Sequence, residues 1–292
     1  MAVLTLIFRR LGIPIAPHKT VGPTTVLEYL GIELDTVRMQ ARLPQDKLSR
    51  IHELLKTFLS RKSCTKRELL SLLGHLNFAC RVVIPGRTFI SRLIELSKGV
   101  KKLHHHISIS SESRKDLHMW QYFLSGWNGV SMFLDAHPTS ASDMQLYTDA
   151  SGIGHGGYFR GRWFQERWSP SLKLETDPSL SIAFQELYPI VVASILWGHL
   201  WVRKRILFYC DNLATVHIIN KGRSKSPAIM KLMRRLVITA ASSNFMFQAE
   251  HIPGKINHIA DALSRFQVRR FREAAPTAEP TQCQIPSVVM FS

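Results

Sequence analysis

Four carboxylates in the second half of this 292-residue chain stand where acids are uncommon. Asp149 closes the alternating run Met144-Gln-Leu-Tyr-Thr-Asp149 and precedes a turn-rich, small-residue stretch at 151–157. Glu186 lies inside an apolar helical run, Phe184-Gln-Glu-Leu-Tyr188, and Asp211 closes Arg205-Ile-Leu-Phe-Tyr-Cys210. Asp261 falls in Ala260-Asp-Ala-Leu263, in the first turns of the last periodic helix. A carboxylate among apolar neighbours is costly unless it is paired or bound to a cation. Carboxylates that converge repel one another, and a proton or a dication must relieve them. Oxygen donors with no Cys or His at zinc spacing point to Mg²⁺ or Mn²⁺. Two such ions about 4 Å apart activate water and stabilise the leaving oxygen of a phosphodiester.

Each acid also has an ordinary role. Asp149 suits an Asx-turn. Asp211 suits the N-cap of a helix starting at Asn212. Asp261 suits the positive end of a helix dipole, and Glu186 a half-exposed helix face. Taken singly, the ordinary roles prevail for Asp149, Asp211 and Asp261. Taken together, two acids at strand ends and two on helices able to pack over that edge favour one site.

The elements that must position them are legible from periodicity. Strands are expected at 144–149, around Arg160-Gly161, at 205–210 and at 245–251, with 205–210 apolar enough for burial on both faces. Helices are expected from about Pro178 or Ser181 to Trp201, and over 212–221, 227–241 and 258–265. The order β-β-β-α-β-α-α-β-α implies an α/β fold with a mixed sheet and flanking helices. A stretch rich in Ala, Ser, Pro and Thr at 135–143 marks a domain boundary.

The first half reads differently. Residues 1–45 form short strands and turns, with an apolar start at 1–8 that reads as part of a core element. Residues 46–140 form a small helical region. Leu48, Ile51, Leu54, Leu55 and Phe58 recur at helical spacing, and Thr65-Lys-Arg-Glu68 has the form of a capping box. Two further helices cover 86–96 and 111–124. The adjacent His104, His105 and His106 diverge on any regular element and so read as a polar linker. Residues 267–292 lack a period and are expected to be a flexible tail.

Composition narrows the partner. There are 38 Lys+Arg against 21 Asp+Glu, a net charge of +17, and both halves share the excess. Such a chain attracts polyanions, of which nucleic acid is the commonest. A hydrophobic fraction of 45% excludes a disordered chain. Cys64, Cys80, Cys210 and Cys283 show no CxxC spacing, which fits a reduced intracellular compartment, cytoplasm or nucleus. No run is long enough for a membrane helix.

The motifs themselves resemble a known family. Tyr147-Thr-Asp-Ala-Ser151, Phe184-Gln-Glu-Leu187, Tyr209-Cys-Asp-Asn212 and the block His251-Ile-Pro-Gly-Lys-Ile-Asn-His-Ile-Ala-Asp-Ala-Leu-Ser-Arg265 resemble ribonuclease H domains of retroelement polymerases. Tyr29-Leu-Gly-Ile-Glu-Leu34 is similar to the motif after a reverse transcriptase palm. Phe78-Ala-Cys-Arg-Val-Val-Ile-Pro-Gly-Arg87 and Trp127-Asn-Gly129 resemble the thumb and connection of tyrosine-recombinase (DIRS-like) retrotransposons. The resemblance implies a partial palm at 1–45, a helical thumb and connection at 46–140, and a ribonuclease H-like domain at 141–266. It implies Asp149, Glu186, Asp211 and Asp261 as ligands of two Mg²⁺, or Mn²⁺, and His251 as a mobile histidine assisting proton movement. Ser151, Asn212 and Asn257 would lie near substrate, although Asn257 equally suits a cap of the last helix.

No Tyr-x-Asp-Asp motif is present, so the expected activity is cleavage of RNA in RNA–DNA hybrids without polymerisation. The stretch between Asp211 and His251 is too short for a basic protruding helix, which would leave substrate grip to the thumb-like half. The rest of a retroelement polyprotein is an implied partner. The alternative is an inactive nucleic-acid-binding remnant of such a polyprotein, and a DNA nuclease on the same fold is a third reading.

Overall fold

The computed structural model describes residues 2–126, 131–132, 144, 146–172, 177 and 180–285, and the chain divides into two compact units. The expected boundary at 135–143, the Trp127-Asn-Gly129 motif and residues 286–292 lie outside the described residues.

The first unit comprises 1–84 and 100–133. It opens with α1 (Ala2–Arg10), followed by β1 (Val26–Tyr29), β2 (Ile32–Asp35), β3 (Gln40–Arg42), α2 (Gln45–Ser60), β4 (Ser63–Thr65) and α3 (Lys66–Ala79). The apolar start, expected as part of a core, is instead a helix with Val3, Leu4, Leu6 and Ile7 exposed. Leu48, Ile51, Leu55 and Phe58 are buried along α2 at the expected spacing, and Leu54 is half-buried. The capping box closes as its residue types require. The Glu68 amide donates to the Thr65 hydroxyl, and the Thr65 amide donates to the Glu68 carboxylate.

The chain then leaves this unit for 85–99, which carries α4 (Ser91–Lys98) and groups with the second unit. The sequence placed that stretch with the thumb-like region. Phe89 explains the difference: it is fully buried, with the Arg234 guanidinium over its ring. The first unit resumes with β5 (His106–Ser108), α5 (Ser111–Gly126) and β6 (Ser131–Met132). His106 thus opens a strand rather than a linker, while His104 and His105 are exposed. Leu117, Trp120 and Phe123 of α5 are fully buried, and Arg114 donates to the carbonyls of Leu59 and Arg61 at the end of α2. Strands order as β1-β2-β3-β6, all antiparallel, with β4-β5 a separate ladder.

The second unit is mixed α/β, in the order the sequence implies. Strands β7 (Leu146–Ala150), β8 (Gly154–Phe159) and β9 (Arg162–Arg167) form an antiparallel meander. They are followed by α6 (Ile182–Trp197), β10 (Arg205–Cys210), α7 (Leu213–Lys221), α8 (Pro227–Ser242), β11 (Met246–His251) and α9 (His258–Ser264). β10 pairs with β11 in parallel, with Cys210 opposite His251. The expected single mixed sheet is split. β10 runs beside β7, but among the described residues no hydrogen-bonded ladder joins them, so the meander and the parallel pair are separate ladders. β10 was expected to be buried on both faces; instead Ile206, Phe208 and Cys210 are buried and the alternate residues are half-buried.

The core explains the cohesion of this unit. α6 is apolar around most of its circumference, and Phe184, Leu187, Ile190, Val191, Val192, Ala193 and Trp197 are all at most 1% exposed. A helix apolar all round must be covered on both sides, and α6 packs against β7, β8 and α8.

Residues 267–292, expected as a flexible tail, carry the further helix α10 (Val268–Ala274). The cause is Phe271, fully buried against Trp163 and Tyr158. The chain beyond hydrogen-bonds back along β9: the Glu279 amide donates to the Gly161 carbonyl and the Cys283 amide to the Trp163 carbonyl. Phe271→Ala should therefore lower the stability of the folded chain by about 3–5 kcal/mol. Urea unfolding would read it, and a change within 0.5 kcal/mol, typical of a surface position, would show the segment to be loosely attached.

Candidate functional site

The strand ends carry Asp149 and Asp211 to one region of the second unit. Asp149 lies one residue before the end of β7, opposite Gly156 of β8. A Cβ at Gly156 would lie 2.5 Å from the Leu263 Cβ, so only glycine lets α9 pack this closely on the strand. That close packing brings Ser264 to Asp149: its hydroxyl donates to Oδ2 at 2.6 Å, deep in the protein.

Asp149 is 6% exposed and Glu186 is 8% exposed. Burial pushes the Asp149 carboxyl up to about 7; the Ser264 hydrogen bond opposes this, and the charges of Asp211 and Asp261 add to it. Burial, then the charges of Asp149 and Asp211, push Glu186 up to about 9. Among the described residues, no hydrogen-bond donor reaches the Glu186 carboxylate.

Asp211 is exposed, and the helix cap it was weighed for belongs to its neighbour. The Asn212 side chain accepts from the Thr215 amide at 3.0 Å and caps α7, which leaves the Asp211 carboxylate free of that duty. The chain passes close on the other side, since a Cβ at Gly254 would lie 2.9 Å from Asp211 Oδ2. His251 is exposed beside it, with Nε2 3.1 Å from the Asp211 carbonyl oxygen.

Asp261 is half-buried and differently engaged. Arg265 Nε and Arg270 Nη1 each donate to its carboxylate at 2.6 Å. Partial burial works against its charge, but the two guanidinium groups outweigh that and hold the carboxyl below its ordinary range.

Electrostatic contact thus links all four acids: Asp149 with Glu186, Asp211 and Asp261, and Glu186 with Asp211. Among the described residues, Glu186, Asp211 and the Cys210 thiol bring their ligand atoms within 4.8 Å of one another.

The three residues expected near substrate spend their side chains inside the protein. Ser151 is buried and donates to the Ser264 carbonyl. Asn257 is 2% exposed and donates to the Thr148 carbonyl at 2.8 Å, tying the start of α9 to β7. It makes no side-chain cap of α9. Asn212 is half-buried in its capping role.

Sequence reasoning passed over Ser264, Arg265, Arg270 and Cys210. Ser264 and Arg265 were signalled by their spacing of three and four from Asp261, which places them on its side of α9. Arg270 was hidden in a segment read as a tail. Cys210 was read as one more apolar strand residue.

A buried, unpartnered glutamate facing two more carboxylates is an arrangement that takes up a proton or a divalent cation. The donor set, dominated by carboxylate oxygens, suits Mg²⁺ or Mn²⁺.

No protein-family model matches the sequence, and no curated relative matches it. A solved structure of the foamy viral protease-reverse transcriptase in complex with dsDNA aligns over 85% of this chain, at 14% identity and a TM-score of 0.20. The chain spans about half (51%) the length of that protein. No helix among the described residues is long and apolar enough to cross a membrane.

Proposed function

We propose that the second unit is a metal-dependent nuclease of the ribonuclease H type, cutting the RNA strand of RNA–DNA hybrids as part of a retroelement polymerase. The observation that carries this reading is Glu186, buried without a donor between the charges of Asp149 and Asp211. The element order and the net charge of +17 support it. The hybrid preference rests on the motif resemblance, as does the origin in a DIRS-like element.

Asp149, Glu186 and Asp211 would hold the ions, with Asp261 joining once Arg265 and Arg270 let go. Two divalent ions held this way supply an activated water and charge compensation on the leaving oxygen. Ser264 keeps the Asp149 carboxylate pointed by its hydrogen bond. Gly254 leaves room for the Asp211 carboxylate. His251, exposed beside Asp211, would pass a proton between the site and bulk water. The basic first unit would add sequence-independent grip on phosphates.

The hold of Arg265 and Arg270 on Asp261 favours a second reading, an inactive nucleic-acid-binding remnant. The two separate on incubation with labelled RNA–DNA hybrid, duplex RNA and duplex DNA, in Mg²⁺ or in EDTA. The nuclease reading expects Mg²⁺-dependent cutting of the hybrid alone. Equal cutting of duplex DNA would sink the hybrid preference, and binding without any cutting would establish the remnant.

A further inference from the structure

The Cys210 thiol has no place in the chemistry above, yet it faces the same carboxylates. Cys210 ends β10 on its buried face, 3% exposed, and its Sγ accepts from the Asn212 amide at 3.4 Å. Sγ and one carboxylate oxygen each from Glu186 and Asp211 lie within 4.8 Å of one another. A point at the centre of three such atoms is at most about 2.8 Å from each. Bonds from zinc to sulfur and to carboxylate oxygen take about 2.3 and 2.1 Å, so small side-chain rotations close the gap.

A second observation points to a ligand here. Glu186 is more than nine-tenths buried, is aimed into this cluster and receives no hydrogen bond among the described residues. Two hard oxygens with one sulfur differ from an all-oxygen set in what they select. Thiolate favours thiophilic ions, whereas Mg²⁺ takes oxygen almost exclusively.

We propose that Cys210, Glu186 and Asp211 form a binding site for a thiophilic divalent cation of the zinc type, distinct in selectivity from a Mg²⁺ site though sharing two of its carboxylates. The metal–sulfur bond forms as the thiol gives its proton to solvent, so one proton leaves per ion bound from Cys210. Where the nuclease reading holds, such an ion excludes Mg²⁺ from Glu186 and Asp211 and stops cleavage. The site itself rests only on the placement of the three side chains.

The test uses the full chain, stripped with EDTA and titrated with Cd²⁺ without nucleic acid. Sulfur-to-cadmium charge-transfer absorption in the ultraviolet reports the bond directly. The wild type should show one saturating equivalent, and Mg²⁺ should produce no band. Cys210→Ala should weaken Cd²⁺ binding at least about 100-fold, the upper end of what even outer-shell partners are worth. Glu186→Gln should weaken it while leaving any residual band cysteine-dependent. Cys283→Ser, at the half-buried cysteine far along the chain, should leave the titration unchanged. If Cys210→Ala does not fold, Cys210→Ser gives the same reading. A Cd²⁺ titration unaltered by removal of the Cys210 sulfur overturns the proposal. Mg²⁺-dependent cleavage without a Cys210-dependent band would sink this site alone, and the band without cleavage would sink only the nuclease reading.

Discussion

In EDTA, the unfolding temperature of the chain should be highest at about pH 4 and fall as pH rises towards 9, and Mg²⁺ should abolish the alkaline part of that fall. Two buried acids set the alkaline limb. Asp149 is moved from the ordinary 3.8 to about 7 and Glu186 from 4.5 to about 9, in both cases chiefly by burial. A raised carboxyl keeps its proton in the folded state after the unfolded chain has released it. Between the ordinary and the raised values the folded state binds more protons, so stability falls as pH rises. From pH 6.5 to 9 the loss is mostly that of Glu186, on the order of 3 kcal/mol. For a domain of this size that is roughly 10 °C. His155, buried among Phe164, Trp168 and Tyr188 with a pKa that burial lowers to about 3, works the other way; the two acids outweigh it down to about pH 4, and an acid limb appears only below that. A buried neutral histidine contributes stability above its unfolded value of 6.5, and that contribution is lost as pH falls below it. Mg²⁺ should leave this limb untouched, because His155 offers nothing to a cation held by carboxylates. Thermal scans across pH with and without Mg²⁺ read both limbs; an alkaline limb that Mg²⁺ does not lift would mean that the acids take a proton and not a metal.

The same acids show how far a sequence can be read. Strand and helix order in the second unit was legible because each element buries a face whose period is written in residue types. Phe184, Leu187, Ile190 and Val191 on α6 are an example. Electrostatic influence among the four carboxylates fits strand ends and helix starts that recur at one edge of such a layer. Their division of labour was not legible. Asp261 and Asp149 look alike in sequence, but one meets two guanidinium groups and the other a serine hydroxyl. One of those guanidinium groups, that of Arg270, comes from α10, and α10 depends on one buried phenylalanine in a proline-containing segment without a period. The split between the meander and the parallel pair was equally hidden, because residue types along β7 and β10 do not record whether their backbones pair. Ser151 and Asn257 show a related limit of the sequence. A polar residue in a motif reads as a ligand contact, whereas here each also donates to a backbone carbonyl far away in sequence, which residue types do not record.

Replacing single acids should separate activity from folding. Asp211→Asn removes an exposed carboxylate that caps no helix and accepts no described side-chain hydrogen bond, so the melting temperature should shift by no more than a degree or two. Hybrid cleavage in Mg²⁺ should nevertheless fall about 1,000-fold or more, because several kcal/mol of transition-state charge stabilisation go with a lost ion, at roughly tenfold per 1.4 kcal/mol. Glu186→Gln should lose cleavage to a similar degree yet gain stability in EDTA at pH 9, since the amide carries no charge to bury beside Asp149 and Asp211. A variant that is both dead and more stable is the mark of a residue retained for chemistry at the expense of the fold. Full activity in Asp211→Asn would remove it from the site. A Glu186→Gln protein less stable than its parent at pH 9 would show that the buried carboxylate is held by something other than the cation its surroundings require.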